Sequence, residues 1–176
     1  MDAEAAIDGS DHEETLWLSE LERDVWLDVW TIVLQLPMVL EAQLQRDADL
    51  GLFEYMVLSR LSMAPERESR MGELARLIGG SMSRLSNVVR RLETKGYVTR
   101  RPDPTNGRFV IAALTASGYA TVEAAAPGHV RAVRRSILDP LSPAQVRCLK
   151  EVGGRLARQV RREAGEDPIG LDQPAG

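Results

Sequence analysis

The sequence predicts a mainly α-helical fold with a small β-hairpin, and three observations support this class. Apolar residues recur at the three- and four-residue spacing of amphipathic helices through most of residues 16–162. Residues 97–101 and 109–114 alternate or run apolar as strands do, and a segment rich in Pro, Asn and Gly separates them. The chain length of 176 residues suits one compact domain, or one domain with a dimerisation extension.

The first two helices follow from this spacing. A long helix is predicted to begin near Leu16 and to run toward Ala48, and Pro37 inside it should cause a kink or a break. Because this helix is apolar over much of its circumference, we expect more than one neighbour to bury it. A second helix should run from about Leu52 to Ser62, and a polar loop from Ala64 to Arg70 should follow.

Two short helices around a Gly-Gly turn come next. Met71–Ile78 should form a helix that ends at Gly79-Gly80, since Gly adopts the left-handed cap position without strain. Ser81 stands where an N-cap belongs, and Met82–Lys95 is predicted to be the following helix. Its apolar face consists of Leu85, Val88, Val89 and Leu92. Its opposite face consists of Ser83, Arg84, Asn87, Arg90 and Arg91, with Ser86 at the boundary.

A β-hairpin and two further helices complete the prediction. Strands are expected at Tyr97–Arg101 and Phe109–Leu114, joined by a turn at Asn106-Gly107. Thr115 should cap a helix that continues toward Ile137 and that Pro127-Gly128 should bend or interrupt. Ser142 and Gln145 match a capping box with a Pro at the first helical position, which predicts the start of the last helix.

The charge of the chain is unevenly distributed. The formal net charge is −4, but residues 1–28 carry ten acidic residues against a single Arg, whereas residues 82–108 carry a net charge of about +5. A local basic region of this kind can attract phosphate groups despite an acidic whole. The acidic N-terminus has no signal-peptide pattern and we find no apolar run near the length of a bilayer span, so a cytoplasmic location is expected.

The polar face of residues 82–95 has the side chains that read duplex DNA. Arg can bond guanine edges in pairs, Asn can do the same to adenine, and Ser accepts either base edges or phosphate. Arg101 and Arg108 extend the basic surface onto the hairpin, where an Arg near the tip can enter a narrow minor groove. The alternative is a solvated helix face, with hairpin Arg residues that only keep an edge strand soluble. The order of helix, turn, helix and hairpin favours a winged helix-turn-helix that binds DNA.

The chain resembles the MarR family of bacterial transcriptional regulators over about residues 16–162. The matching residues are Leu74-Ala75, Ser81–Ser86, Arg91–Glu93, Lys95–Arg100, Asp103-Pro104, Arg108 and Leu114–Gly118. The resemblance implies a homodimer in which the N- and C-terminal helices interlock and two winged lobes bind a pseudo-palindromic operator in double-stranded DNA. It implies recognition roles for Ser83, Arg84, Ser86, Asn87 and Arg90 and a wing-tip role for Arg108. Where the family often has Asp and a basic residue before that Arg, this chain has Asn106 and Gly107.

Composition and the resemblance together predict a domain division. Residues 1–14 are expected to be a disordered acidic arm, residues 15–162 a single domain, and residues 163–176 a flexible tail. Within the domain, residues 15–48 and 116–162 should form the dimerisation region, and residues 52–115 the winged helix-turn-helix lobe. The acidic arm is either a solubilising tail or a segment that competes with DNA for the basic lobe.

Most members of such a family resemble repressors that a small molecule, often aromatic or phenolic, releases from DNA. Trp26, Trp30, Met38 and Phe53 are the residues that would line an effector pocket, although aromatic residues at helical spacing also serve plain core and dimer packing. Cys148 is expected to be a small buried residue of the last helix, with no redox role. We expect no cofactor and no metal, because two distant His residues and one Cys make a poor ligand set.

Two other classes of function stay open. A winged-helix module that binds a protein and not DNA would have the same fold, but its docking lobe would more often expose apolar anchors. An enzyme is disfavoured, because no nucleophile–His–acid set, phosphate-binding Gly loop or metal cluster stands out in the sequence.

Overall fold

The computed structural model describes residues 17–165 of the chain. The predicted acidic arm at residues 1–14 lies outside the described residues, as does most of the predicted tail at 163–176. The main elements are α1 (Glu20–Ala48), α2 (Leu52–Met63), β1 (Glu68–Arg70), α3 (Met71–Leu77), α4 (Met82–Thr94), β2 (Val98–Asp103), β3 (Asn106–Leu114), α5 (Ala116–Val133) and α6 (Pro143–Glu163). The described residues divide into two compact units, one on each side of the boundary between Leu36 and Pro37.

The helix boundaries follow the local signals. Ser81 accepts a hydrogen bond from the Arg84 backbone N–H, and Thr115 and Ser142 cap α5 and α6 in the same way, so the three predicted N-caps are confirmed. Gly79 and Gly96 have φ values of 64° and 74° and end α3 and α4 in the left-handed conformation. These caps set the length of each helix in the lobe.

The two internal prolines do not break their helices. Pro37 lies within the continuous α1 helix, and Pro127 lies within α5. Of the bend or interruption expected at Pro127-Gly128, the interruption does not occur: α5 runs on to Val133 and then continues as a π-helical turn at Arg134–Leu138. A wider turn shifts the hydrogen-bonding pattern at this later point, which is how helices often absorb an extra residue.

The β-structure is a three-stranded antiparallel sheet in the order β1-β3-β2. The sequence predicts a polar loop over Ala64–Arg70, and for its last three residues this prediction is wrong. Glu68–Arg70 forms the strand β1, which pairs with Ile111–Ala113. The hairpin turn lies at Pro104-Thr105, whereas Asn106-Gly107 begins β3. The expected turn at Asn106-Gly107 is therefore wrong, because the turn lies two residues earlier in the chain. Asp103 accepts hydrogen bonds from Thr105 and closes the turn there.

The core lies in the second unit, among α2, α3, α4 and the sheet. Leu58 and Leu61 of α2 are fully buried with Leu85, Val89 and Leu92 of α4. All four residues assigned to the apolar face of α4 are buried, which confirms that prediction. The packed α4 can therefore present only its opposite face outward.

Two helices leave apolar side chains uncovered. In the first unit, α1 exposes Leu21, Val25, Trp26 and Trp30, which are all about half accessible or more. By length and composition, α1 is also apolar enough to cross a membrane, so the expectation of no such run is wrong. A single helix of this kind is weak evidence for a membrane span, because the core helices of soluble proteins and N-terminal signal sequences are also long and apolar enough. In the second unit, α6 exposes Leu149, Val152, Leu156 and Val160 in one stripe.

Candidate nucleic-acid interface

Helix α4 presents the predicted polar face to solvent. Ser83, Arg84, Asn87 and Arg90 are exposed, and Ser86 is half-buried at the boundary. Arg90 donates a hydrogen bond to the side-chain oxygen of Asn87, one turn away on the same face. The result is a ridge of donors and acceptors on a helix whose other side is anchored in the core, which is a geometry that can enter a major groove.

A buried carboxylate anchors α4 from below. Glu54 of α2 is only 6% exposed and accepts hydrogen bonds from Arg91 Nε at 3.0 Å, Lys95 Nζ at 3.4 Å and the Gly51 backbone N–H at 3.2 Å. Burial raises the pKa of Glu54, but these hydrogen bonds and the two positive charges outweigh it and hold the pKa below its ordinary value. The carboxylate is therefore ionised at neutral pH and ties α4 to α2.

This contact gives Arg91 a structural role in addition to its predicted place on the polar face of α4. The hydrogen bond uses Nε, so the terminal nitrogens of the guanidinium remain without a hydrogen bond among residues 17–165. Glu54 is buried, although charged side chains usually face water. Only its N-terminal position in an amphipathic helix, next to apolar neighbours, could have indicated burial.

Phe53 connects α2 to the turn before α4. A Cβ atom on Gly80 would lie 2.6 Å from the far end of the Phe53 ring, so any side chain at this position would force the ring to move. The guanidinium of Arg84 lies over the same ring, 4.2 Å from its centroid, in a cation–π contact. Phe53 thus contacts both the helix-turn-helix turn and a predicted DNA-binding residue.

The wing carries Arg101 and Arg108 in different environments. Arg101 donates through Nη2 to both carboxylate oxygens of Glu68 on β1, at 2.8 and 2.7 Å. Arg108 is exposed, and its backbone N–H donates to the side-chain oxygen of Asn106 at 3.2 Å. Arg108 makes no ion pair within the part of the chain that the structure describes, so its charge remains available to a ligand.

Met38 and Phe53, two of the four predicted effector-pocket residues, line one cavity. It has a volume of about 680 Å³, and its walls also include Arg84 and Asn87 of α4. Trp26 and Trp30 belong to the other unit, where their rings stack with centroids 5.5 Å apart. Of the four predicted residues, Met38 and Phe53 therefore line a common cavity, whereas Trp26 and Trp30 contact each other in the other unit.

Cys148 lies on α6 and is exposed in the chain, so its expected burial is wrong. No residue of α6 is buried in the single chain. Among the described residues, no group of three or more His, Cys, Asp or Glu side chains is placed to hold a metal ion.

Comparisons with known proteins place this geometry in a family. A sequence profile described as the MarR family matches residues 48–108. Sco3205, a MarR family transcriptional regulator from Streptomyces coelicolor solved in complex with DNA, is 36% identical, with 90% of this chain and 96% of that chain covered and a TM-score of 0.79. AbsC, a MarR family transcriptional regulator from the same organism, is 32% identical, with coverages of 84% and 99% and a TM-score of 0.79. The chain therefore belongs to the MarR family.

The fold is also shared with a more distant structure. A mutant of MarR from E. coli, complexed with operator DNA, is 20% identical, with 78% of this chain and 99% of that chain covered and a TM-score of 0.67. At this identity the likeness shows the winged helix-turn-helix fold alone. The comparison with curated proteins gives no match.

Proposed function

We propose that this protein is a dimeric transcriptional regulator that binds a specific sequence in double-stranded DNA. The observation that carries the proposal is the α4 ridge: Arg84, Asn87 and Arg90 are exposed on a helix whose opposite face is fully packed. A face of Arg, Asn and Ser can distinguish base pairs in the major groove. The DNA complex of the relative Sco3205 supports the same use of this fold.

The residues divide into base-reading and phosphate-binding groups. Arg84, Asn87, Ser83 and Ser86 lie along the part of α4 nearest its N-terminus and are proposed to reach base edges. Arg90 and Arg91, farther along the helix, and Arg101 on β2 are proposed to contact phosphates, which fix register without reading sequence. Arg108 near the wing tip is proposed to enter the adjacent minor groove.

A second copy of the chain is proposed to cover the exposed apolar faces of α1 and α6. Soluble monomers rarely expose contiguous apolar surface of this extent, and such surface usually marks an interface. A homodimer would present two α4 ridges to a pseudo-palindromic operator, since half-site symmetry mirrors the symmetry of the protein. We expect it to act in the cytoplasm, where bacterial DNA is found.

We further propose that the regulator is a repressor released by a small apolar or aromatic molecule. The 680 Å³ cavity has a size suited to such a ligand and includes Met38 and Phe53 in its walls. Arg84 and Asn87 line the same cavity, so a bound molecule would contact side chains that are also proposed to read DNA. Trp26 and Trp30 are proposed to contact the effector in the assembled dimer.

The proposal is tested by selecting preferred duplexes from random-sequence DNA and measuring affinity by fluorescence anisotropy at several salt concentrations. Arg84→Ala and Asn87→Ala should each cost about 1–3 kcal/mol on the selected duplex and much less on random duplex. Arg155→Ala, which removes the same charge from α6, is the matched control and should change neither. Equal affinity of the wild type for selected and random duplex would refute sequence-specific binding.

A further inference from the structure

Two ion pairs cross the central strand on one face of the sheet. Glu68 of β1 pairs with Arg101 of β2 at 2.7 Å, and Arg70 of β1 pairs with Asp103 of β2 at 2.6 Å. Both pairs pass over β3, because β3 lies between β1 and β2, and Ile111 of β3 is in register with both Arg70 and Arg101. The short strand β1 therefore contacts β2 through side chains alone.

The Arg70–Asp103 pair is the more enclosed of the two. Asp103 is only 4% exposed, and it accepts hydrogen bonds from the Thr105 hydroxyl at 2.7 Å and the Thr105 backbone N–H at 2.8 Å. These hydrogen bonds, together with the hydrogen bond and charge of Arg70, outweigh burial and lower the pKa of Asp103 from 3.8 to about 2. Arg70 Nη2 also donates to the Thr105 hydroxyl at 3.2 Å. Arg70 thus holds both the end of β2 and the hairpin turn.

The same guanidinium reaches the strand that carries Arg108. Arg70 lies over the ring of Phe109, 4.9 Å from its centroid. The ladder between β2 and β3 is irregular here: Pro102 is in register with Val110, and Asp103 with Asn106. Residues 107–109 consequently lie between successive partners and have no residue of β2 opposite them. Because residues 107–109 have no partner on β2, their conformation depends on side-chain contacts.

We propose that Arg70 is a positioning residue for Arg108: by holding Asp103, Thr105 and Phe109 together, it fixes the unpaired residues 107–109 and so aims Arg108 at DNA. The inference rests on the proposed function, because it explains how the side chain proposed to enter the minor groove is oriented. Arg70 itself does not contact DNA in this role. Without the contacts of Arg70, the wing would keep its sheet, but Arg108 would adopt many orientations. Ordering Arg108 on binding would then cost conformational entropy.

The test is a set of double-mutant cycles on the duplex selected from random-sequence DNA. Arg108→Ala in the wild type should weaken binding by about tenfold, as expected for a single groove-contacting Arg. In the Arg70→Gln background, Arg108→Ala should cost less than about twofold, because the contact is already lost. Glu68→Gln removes the other pair that crosses β3 and is the matched control, so the full effect of Arg108→Ala should remain in that background.

Several outcomes would overturn the inference. Arg108→Ala could cost the same in the wild-type and Arg70→Gln backgrounds, or could cost nothing in the wild type. If Arg84→Ala still weakened binding to the selected duplex in either case, the proposed function would stand and only the positioning role would fall.

Asp103→Asn should behave like Arg70→Gln, and Asp103→Glu should restore part of the Arg108 effect. Should Asp103→Asn fail to fold, the Arg70→Gln cycle decides alone, since Arg70 is exposed and its loss leaves no buried cavity.

Discussion

At the scale of the residue, a buried charge decides how α4 is held. Glu54 is a carboxylate inside the lobe, and its three hydrogen bonds come from Arg91, Lys95 and the Gly51 backbone. A buried ion needs such partners, because an unpaired charge in the interior costs several kcal/mol. The contact gives Arg91 a role in stability and leaves its terminal nitrogens without a hydrogen bond among residues 17–165.

Replacing this carboxylate should weaken the fold in a pH-dependent manner. Glu54→Gln should lower the free energy of unfolding by about 1–3 kcal/mol at pH 7, because charge-assisted hydrogen bonds are lost. The pKa of Glu54 lies below 4.5 in the folded chain, so its contribution is fully present above pH 4.5 and is lost as pH falls through the folded pKa. The difference between wild type and variant in denaturant unfolding should therefore shrink in acid.

The matched control for this prediction is Glu123→Gln. Glu123 is an exposed acid on α5 and takes part in no ion pair within residues 17–165. Its replacement should change stability by less than about 0.5 kcal/mol at either pH. A Glu54→Gln variant that matched it at pH 7 would show that the buried pair contributes nothing net.

At the scale of the element, the start of α5 is joined closely to the end of α4. The Thr115 hydroxyl donates to the Gly96 carbonyl at 2.8 Å, and the Thr115 backbone N–H donates to the Tyr97 carbonyl at 3.0 Å. Gly118 lies in the first turn of α5, directly against the Tyr97 carbonyl. These contacts fix α5 to the segment that connects α4 with β2.

A side chain at this junction should separate the two elements. In Gly118→Ala, the added Cβ would lie 2.2 Å from the Tyr97 carbonyl oxygen, and backbone must move to relieve the clash. We expect a loss of about 1–3 kcal/mol in unfolding free energy, measured by thermal or denaturant unfolding.

The opposite sign is expected at a helical glycine with open space. Gly72 of α3 has no atom within 4 Å of an added Cβ, so Gly72→Ala should stabilise the helix by up to about 1 kcal/mol. Equal effects of the two substitutions would contradict the assigned close approach at Gly118.

At the scale of the whole molecule, the exposed apolar faces are the basis of the proposed dimer. Leu149, Val152, Leu156 and Val160 follow helical spacing on α6, and none of them is buried in the single chain. The α6 helix has an apolar stripe without a core of its own to cover. A second copy would satisfy it without any change to the fold of the lobe.

The proposed dimer can be tested by substitutions in α6 of the full chain. The wild type should sediment as a dimer, and Leu156→Glu should sediment as a monomer and lose most of its affinity for the selected duplex, because a charge at the centre of an apolar interface is left unpaired. Gln159→Glu, a charge change at a polar position of the same helix, should leave the dimer intact. A wild type that sedimented as a monomer would remove the dimer from the proposed function.

The sequence by itself determined the features that depend on consecutive residues. The caps at Ser81, Thr115 and Ser142, the helix ends at Gly79 and Gly96, and the buried and exposed faces of α4 all follow from spacing and backbone preference. The family resemblance rested on the same local pattern, and the comparisons confirm it.

Only the tertiary structure decided the contacts between distant residues. The partners Arg70 and Asp103 are 33 positions apart, and Glu54 and Arg91 are 37 apart. The strand β1 has three polar or charged residues and no alternation of its own, so it exists only because β3 offers a free edge to pair with. Local propensity acts over a few residues, whereas ion pairs and strand pairing form only after the chain has brought remote segments together.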